Sequence, residues 1–220
     1  LLGVLSSIIF STCITIGGDC VEQVAGKYEF ELPVTISPAL DTFRVGDTIT
    51  VESVFSREVF ERKTQRTYIL DDFSFYPETF IGKIATVPLD NRAIELFDYD
   101  ICEKCDYTKR IFNTSSRVVL QGQYNYDGET YSLKLTFIPK HEGLYILQQA
   151  NGLNPLGERQ TFPGQCGKNN IEAVMHLNDG ADNNREFLFE SQDSTLIIWA
   201  TNGSGDRYAD SGSYCFYVKE

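Results

Sequence analysis

The chain has 220 residues, 42% of them hydrophobic, enough to bury a sizeable core and to argue against disorder. Its formal net charge of -12 speaks against nucleic acid as a partner, since a phosphate backbone would be repelled, and against direct electrostatic docking on an anionic membrane. Aromatics are plentiful (12 Tyr and 15 Phe) beside a single Met and a single Trp, a palette that favours strands over helices.

Residues 1–13 form an apolar run dotted with small side chains, and the chain turns polar at Gly17-Gly18-Asp19. That is the layout of the hydrophobic core and cleavage region of an export signal. Residues 1–17 fall short of the ~20 apolar positions that a membrane-spanning helix requires. The box Phe10-Ser11-Thr12-Cys13 resembles the processing site of bacterial lipoproteins, in the looser form found in Bacteroidetes. The resemblance implies a diacylglycerol on Cys13 and a protein anchored in the cell envelope. That anchor would sit in the outer membrane facing the periplasm, since Ile14-Thr15-Ile16-Gly17-Gly18 lacks the early acidic residues of surface-exported lipoproteins. The alternatives are the cell surface, or a freely secreted protein whose cysteine lies near the signal by chance. No Met or basic segment precedes Leu1, so the start reads as truncated or mis-called. Residues 1–12 are thus expected as signal and 13–26 as a tether that is flexible at Gly17-Gly18. Residues 27–220 are expected as one β-rich domain, with main strands in 27–150, an insertion at 151–212 and a closing strand at 213–219.

From Lys27, Tyr28, Phe30, Leu32, Val34 and Ile36 occupy every second position, the period of a strand with one buried face. Pro33 places that strand at a sheet edge or a bulge. Ser37-Pro38 makes a turn, and residues 42–51 read as two short strands bent around Gly46-Asp47. Residues 57–67 are charged and read as a loop or short helix, while the aromatic-rich pieces of 68–100 have no clear order. Asp127-Gly128 predicts a type I′ hairpin between residues 117–124 and 130–137. In the late part of the chain, residues 171–177 read as a strand. Residues 183–191 read as a short helix capped by Asn183 or Asn184.

Phe137, then Pro139-Lys140-His141-Glu142-Gly143-Leu144-Tyr145, resembles the corner between sheets of an immunoglobulin-like sandwich, where a tyrosine hydroxyl bonds back to the backbone. Tyr145 would take that role. Phe43-Arg44-Val45-Gly46-Asp47-Thr48-Ile49-Thr50-Val51 is similar to the early strands of bacterial modules of this type. The resemblance implies a mostly β, elaborated immunoglobulin-like β-sandwich with long insertions and one or two short helices. Asp210-Ser211-Gly212-Ser213-Tyr214-Cys215 echoes the immunoglobulin cysteine motif, but the cysteine arrives one residue early, and alternation points Cys215 to the opposite face.

In an exported chain the cysteines are disulfide candidates first. Cys166 with Cys215 is the expected pair, tying the insertion to the closing strand. Cys102-Glu103-Lys104-Cys105 reads as a local disulfide, with a redox pair or half a zinc site as alternatives. Cys20 stays unassigned. The sequence contains no HExxH, GxSxG or P-loop. His141 reads as solvent-facing and His176 as a core residue. Residues 178–184 offer several hard oxygens around Gly180 but miss the EF-hand spacing, so a polar turn is preferred to a calcium site. The expectation is therefore a non-catalytic, lipid-anchored envelope module without catalytic residues, metal or cofactor. It would reach the membrane through Cys13 and bind a protein or carbohydrate partner. The alternative is an envelope hydrolase with its site in the 151–212 loops.

Overall fold

The computed structural model describes residues 27–84, 87–112, 116–153, 160–165, 170–201 and 206–220. The signal, the tether, Cys13, Cys20 and Cys166 lie outside them. The early strands are β1 (Lys27–Ser37), β2 (Thr42–Arg44), β3 (Ile49–Ser56), β4 (Glu58–Glu61) and β5 (Arg66–Ile69). Next come β6 (Phe75–Lys83), a 3-10 turn (Ala93–Leu96), β7 (Phe97–Ile101), β8 (Tyr107–Phe112) and β9 (Arg117–Gly122). β10 (Asn125–Tyr126), β11 (Thr130–Pro139), β12 (Gly143–Leu153) and β13 (Asn170–Leu177) follow. Two 3-10 turns (Asn178–Gly180 and Arg185–Glu190), α1 (Ser194–Thr201), α2 (Arg207–Asp210) and β14 (Ser213–Lys219) complete the chain.

The strands form two sheets. One runs β10-β11-β3-β1-β4-β5, with β13 added to β1 and β7 to β11; the other runs β2-β14-β12-β6-β9-β8. The fold is a mostly β sandwich, and its core sits between the inner faces. Phe30, Leu32, Val51 and Phe137 come from the first sheet, and Ile81, Tyr145, Leu147 and Phe216 from the second. Each such side chain contributes about 1.5–3 kcal/mol on leaving water. The aromatic surplus is largely consumed here. Phe162 packs edge-on against Tyr28, Phe30 and Tyr68, with centroids 5.0, 5.2 and 5.1 Å apart.

The alternation in β1 translates directly, since all five apolar positions are at most 2% exposed. Pro33, however, is not on an edge. β13 runs parallel along one side of residues 27–34, while the other side pairs with β4 at Phe30 and with β3 from Thr35 onward. Pro33 falls at that change of partner, where a missing N–H disrupts no ladder. Its carbonyl accepts from Ser53 Oγ at 2.6 Å.

Gly46-Asp47 carries the chain from the second sheet to the first, with Gly46 at φ +90 and Asp47 Oδ2 accepting from Arg44 N at 2.7 Å. The return crossing is the tyrosine corner: Tyr145 Oη donates to the His141 carbonyl at 3.0 Å. It closes the crossing between β11 and β12 as the immunoglobulin-like resemblance implied.

Two further sequence expectations are corrected in the strand assignment. Residues 57–67 are not a loop or helix but the β4–β5 hairpin, from Glu58↔Ile69 to Glu61↔Arg66. The inward positions are Val59 and Glu61, so a buried carboxylate hid the apolar period. Glu61 is 0% exposed and accepts from the backbone amides of Glu29, Lys63 and Thr64. Burial alone would raise its pKa, but these donors outweigh it and hold the pKa low. Residues 117–124 likewise do not pair with 130–137. β9 joins β6 and β8 in the second sheet, and only β10 forms the hairpin with β11 across Asp127-Gly128.

Outside the second sheet lies a third layer. Strand alternation sends Tyr214, Phe216 and Val218 of β14 into the sandwich and Cys215 outward. There Cys215 joins Phe80, Ile84, Val119, Leu144 and Ile146, covered by Leu188, Leu196, Ala200 and Tyr208 from residues 185–210. Of the helix expected at 183–191, a 3-10 turn forms at Arg185–Glu190. Asn184 precedes it without capping, because its amide donates to the Cys215 carbonyl at 2.8 Å.

A candidate binding cleft between the second sheet and the helical layer

In β6, Thr79 and Ile81 face the sandwich, so Phe80 faces out; Arg117 of β9 and Ile146 and Gln148 of β12 share its outer face. After β6 the chain folds back, with Lys83 and Asp90 exchanging backbone hydrogen bonds, and brings Pro88, Leu89 and Asn91 alongside. α1 supplies the far wall with Leu196 and Trp199. Together they enclose a cleft of about 410 Å³.

Asp193 holds the wall in place. It stands just before α1, and its carboxylate accepts from Thr195 N at 2.9 Å and Thr195 Oγ1 at 2.5 Å, an N-cap arrangement. Its other oxygen accepts from Leu89 N at 3.0 Å, which ties the 88–91 segment to the helix. The Thr195 hydroxyl first, then the Leu89 and Thr195 amides, hold the Asp193 pKa below the usual aspartate range against the opposing effect of burial. Arg117 is equally engaged. Its guanidinium lies 4.4 Å from the centroid of the Phe80 ring and bonds Glu78 at 2.6 Å.

Among the described residues, Asp193 and Arg117 are the only ionisable side chains lining this cleft. The described lining includes neither histidine nor cysteine nor a second carboxylate, and the Thr195 hydroxyl donates to the Asp193 carboxylate. The arrangement can present a shaped, half-polar surface to a ligand. Polar valence remains open, however. Among the described residues the Asn91 side chain and the Trp199 indole N–H carry no protein hydrogen bond, and Gln148 uses its Nε2 on Ser213 Oγ but leaves Oε1 open.

The residues singled out in the sequence lie elsewhere. Cys102 and Cys105 form the local disulfide, Cα atoms 5.3 Å apart, at the end of β7. Cys215 corrects the other expectation: it is a free, fully buried thiol under the helical layer, so it does not bridge to Cys166. His141 is exposed at the corner, as expected. His176 is not a core residue. It sits on the outward face of β13, with Nδ1 3.4 Å from Glu31, beside an Arg62 that also bonds Glu31 and Asp210. In residues 178–184 the amides stitch the turn: Asn178 Oδ1 accepts from Ile36 N, and Asn178 Nδ2 donates to Asn183 Oδ1. Among the described residues no three His, Cys, Asp or Glu side chains are placed to hold a metal. The cleft residues were not singled out in the sequence. The one local signal was Asp193-Ser194-Thr195 ahead of Leu196-Ile197-Ile198-Trp199, a cap before an apolar run.

No protein-family model and no curated protein sequence matches the chain. Among solved structures, it is similar to a type II cohesin dyad from the adaptor ScaA scaffoldin of Acetivibrio cellulolyticus. There it has 6% identity and a TM-score of 0.29 over 65% of this chain, and it spans 46% of that chain, less than half its length. It is also similar to a type II cohesin domain from the cellulosome of the same organism, with 6% identity and a TM-score of 0.30 over 67% of this chain and 92% of that one. Values this low carry no argument about ligand or partner.

Proposed function

We propose that this chain is a non-catalytic binding module of the bacterial cell envelope. It is tethered by a lipid on Cys13 at the outer membrane, facing the periplasm, and presents the cleft beneath α1 to its ligand. The observation that carries the binding half is the engagement of Asp193. Among the described residues it is the one carboxylate of the cleft, and the three donors that fix it, the Thr195 hydroxyl among them, commit it to orienting the wall. The anchor rests on the lipoprotein-like box at Phe10-Ser11-Thr12-Cys13. The net charge of -12 supports a partner other than nucleic acid.

Two measurements test this reading. A non-reduced mass and peptide map of protein from its native envelope should show a diacylglycerol-modified Cys13 as the mature N-terminus; an unmodified start beyond residue 13 would make it a secreted protein. A screen against glycosides, esters and peptides should show no turnover. Turnover abolished by Asp193→Asn would instead establish the hydrolase alternative with its site in the 151–212 loops.

A further inference from the structure

We infer that the cleft beneath α1 takes a neutral saccharide, one pyranose ring lying against the Trp199 indole. This deepens the binding reading above and rests on it. The first argument is the engagement of the two charged groups. Arg117 is paired with Glu78, and both oxygens of Asp193 already accept from protein donors, so neither group is held open for an ionic ligand. An anion would meet the Asp193 carboxylate, and a cation would meet the Arg117 guanidinium, each without a free partner. The second argument is unspent polarity. A purely apolar ligand would displace water from Asn91, Gln148 Oε1 and the indole N–H and leave them unpaired, a costly exchange.

A sugar meets both halves of the lining. Its C–H face suits the indole and Leu196 of the α1 wall and the apolar floor of Phe80 and Ile146, and its hydroxyls suit planar amides that donate and accept in one plane. The volume, about 410 Å³, falls within the roughly 300–1,000 Å³ of small-molecule sites. It holds a sugar unit or two, not a protein surface.

Trp199 is the chain's single tryptophan, so its emission reads this cleft directly. The purified full chain is titrated with glucose, galactose, mannose and cellobiose, with glucuronate and cyclohexanol as charged and apolar probes. The expected result is a saturable change with at least one neutral sugar. Asn91→Ala and Gln148→Ala should each raise its Kd about tenfold, the loss of roughly one hydrogen bond, with the ligand-free emission and circular dichroism unchanged. Trp199→Phe, followed by calorimetry, should weaken the same sugar. A response to glucuronate or cyclohexanol alone would overturn the saccharide while leaving a binding cleft in place. Silence towards every probe, or unchanged affinity in all three variants, would overturn the site itself. Hydrolysis of the bound sugar would overturn the binding-only reading instead.

Discussion

A carboxylate that accepts from Leu89 N, Thr195 N and Thr195 Oγ1 is bound more tightly as the ion than as the acid. The native pKa of Asp193 is therefore lowered relative to the unfolded chain, where it is about 3.9. The stabilisation is complete above that unfolded value and drains away as the pH falls through the lowered native one. Asp193→Asn keeps the shape but turns an NH₂ group towards one of these donors. It should cost about 1–2 kcal/mol at neutral pH. Glu61 titrates in the same direction, but it does so in both proteins, so the difference between their melting temperatures isolates Asp193. That gap should be constant from neutrality down to about pH 5 and shrink below about pH 4; a gap independent of pH would remove the carboxylate from this role. Neither Asp193 nor Glu61 was legible as important in the sequence. A buried, hydrogen-bonded acid differs from a surface acid only in neighbours that lie far along the chain, and Leu89 is 104 positions from Asp193.

At the level of elements, the periodic stretches were readable and their partners were not. β1 and β14 appear where alternation placed them, and the Tyr145 corner formed as the motif implied. Residues 117–124 failed because a period of two says which face is buried, not which sheet is joined. The deciding residue is Gly122. A Cβ there would stand 1.7 Å from the Asp106 carbonyl oxygen and 2.6 Å from Tyr107 Cα, so only glycine lets β8 and β9 close together before the chain swings to β10. Gly128 provides the contrast, with open space around it but φ at +102. Gly128→Ala should cost about 1–3 kcal/mol, the ordinary penalty of an unfavourable backbone conformation. Gly122→Ala must displace backbone and should cost clearly more than about 3 kcal/mol. Urea midpoints of the two variants decide the matter: equal losses would mean that β8 and β9 can move apart freely.

For the molecule as a whole, three layers share one connecting sheet, and the layers are unequal. The sandwich core draws on both sheets and is rich in interlocked aromatics, whereas the outer cluster is smaller and closed by short helical segments with little regular length. No sequence periodicity announces such a layer. α1 is apolar over most of its length, and the surface it covers comes from strands that lie before residue 150 and after residue 212. Unequal layers imply unequal stability, with the helical layer opening before the sandwich unfolds. Cys215 can report this, because it lies at 0% exposure beneath that layer while its neighbours Tyr214 and Phe216 point into the sandwich. Burial pushes its thiol up to about 12, so the covered form is protonated and inert at neutral pH. Labelling of the Cys215 peptide, followed by mass, should therefore be negligible in the native state. It should accelerate at low urea with a slope well below the global m-value, since only the cover is lost. Coincident slopes would show that helical layer and sandwich unfold as one cooperative unit. The cleft beneath α1 would then be a rigid part of the core instead of a site whose wall can move to admit a ligand.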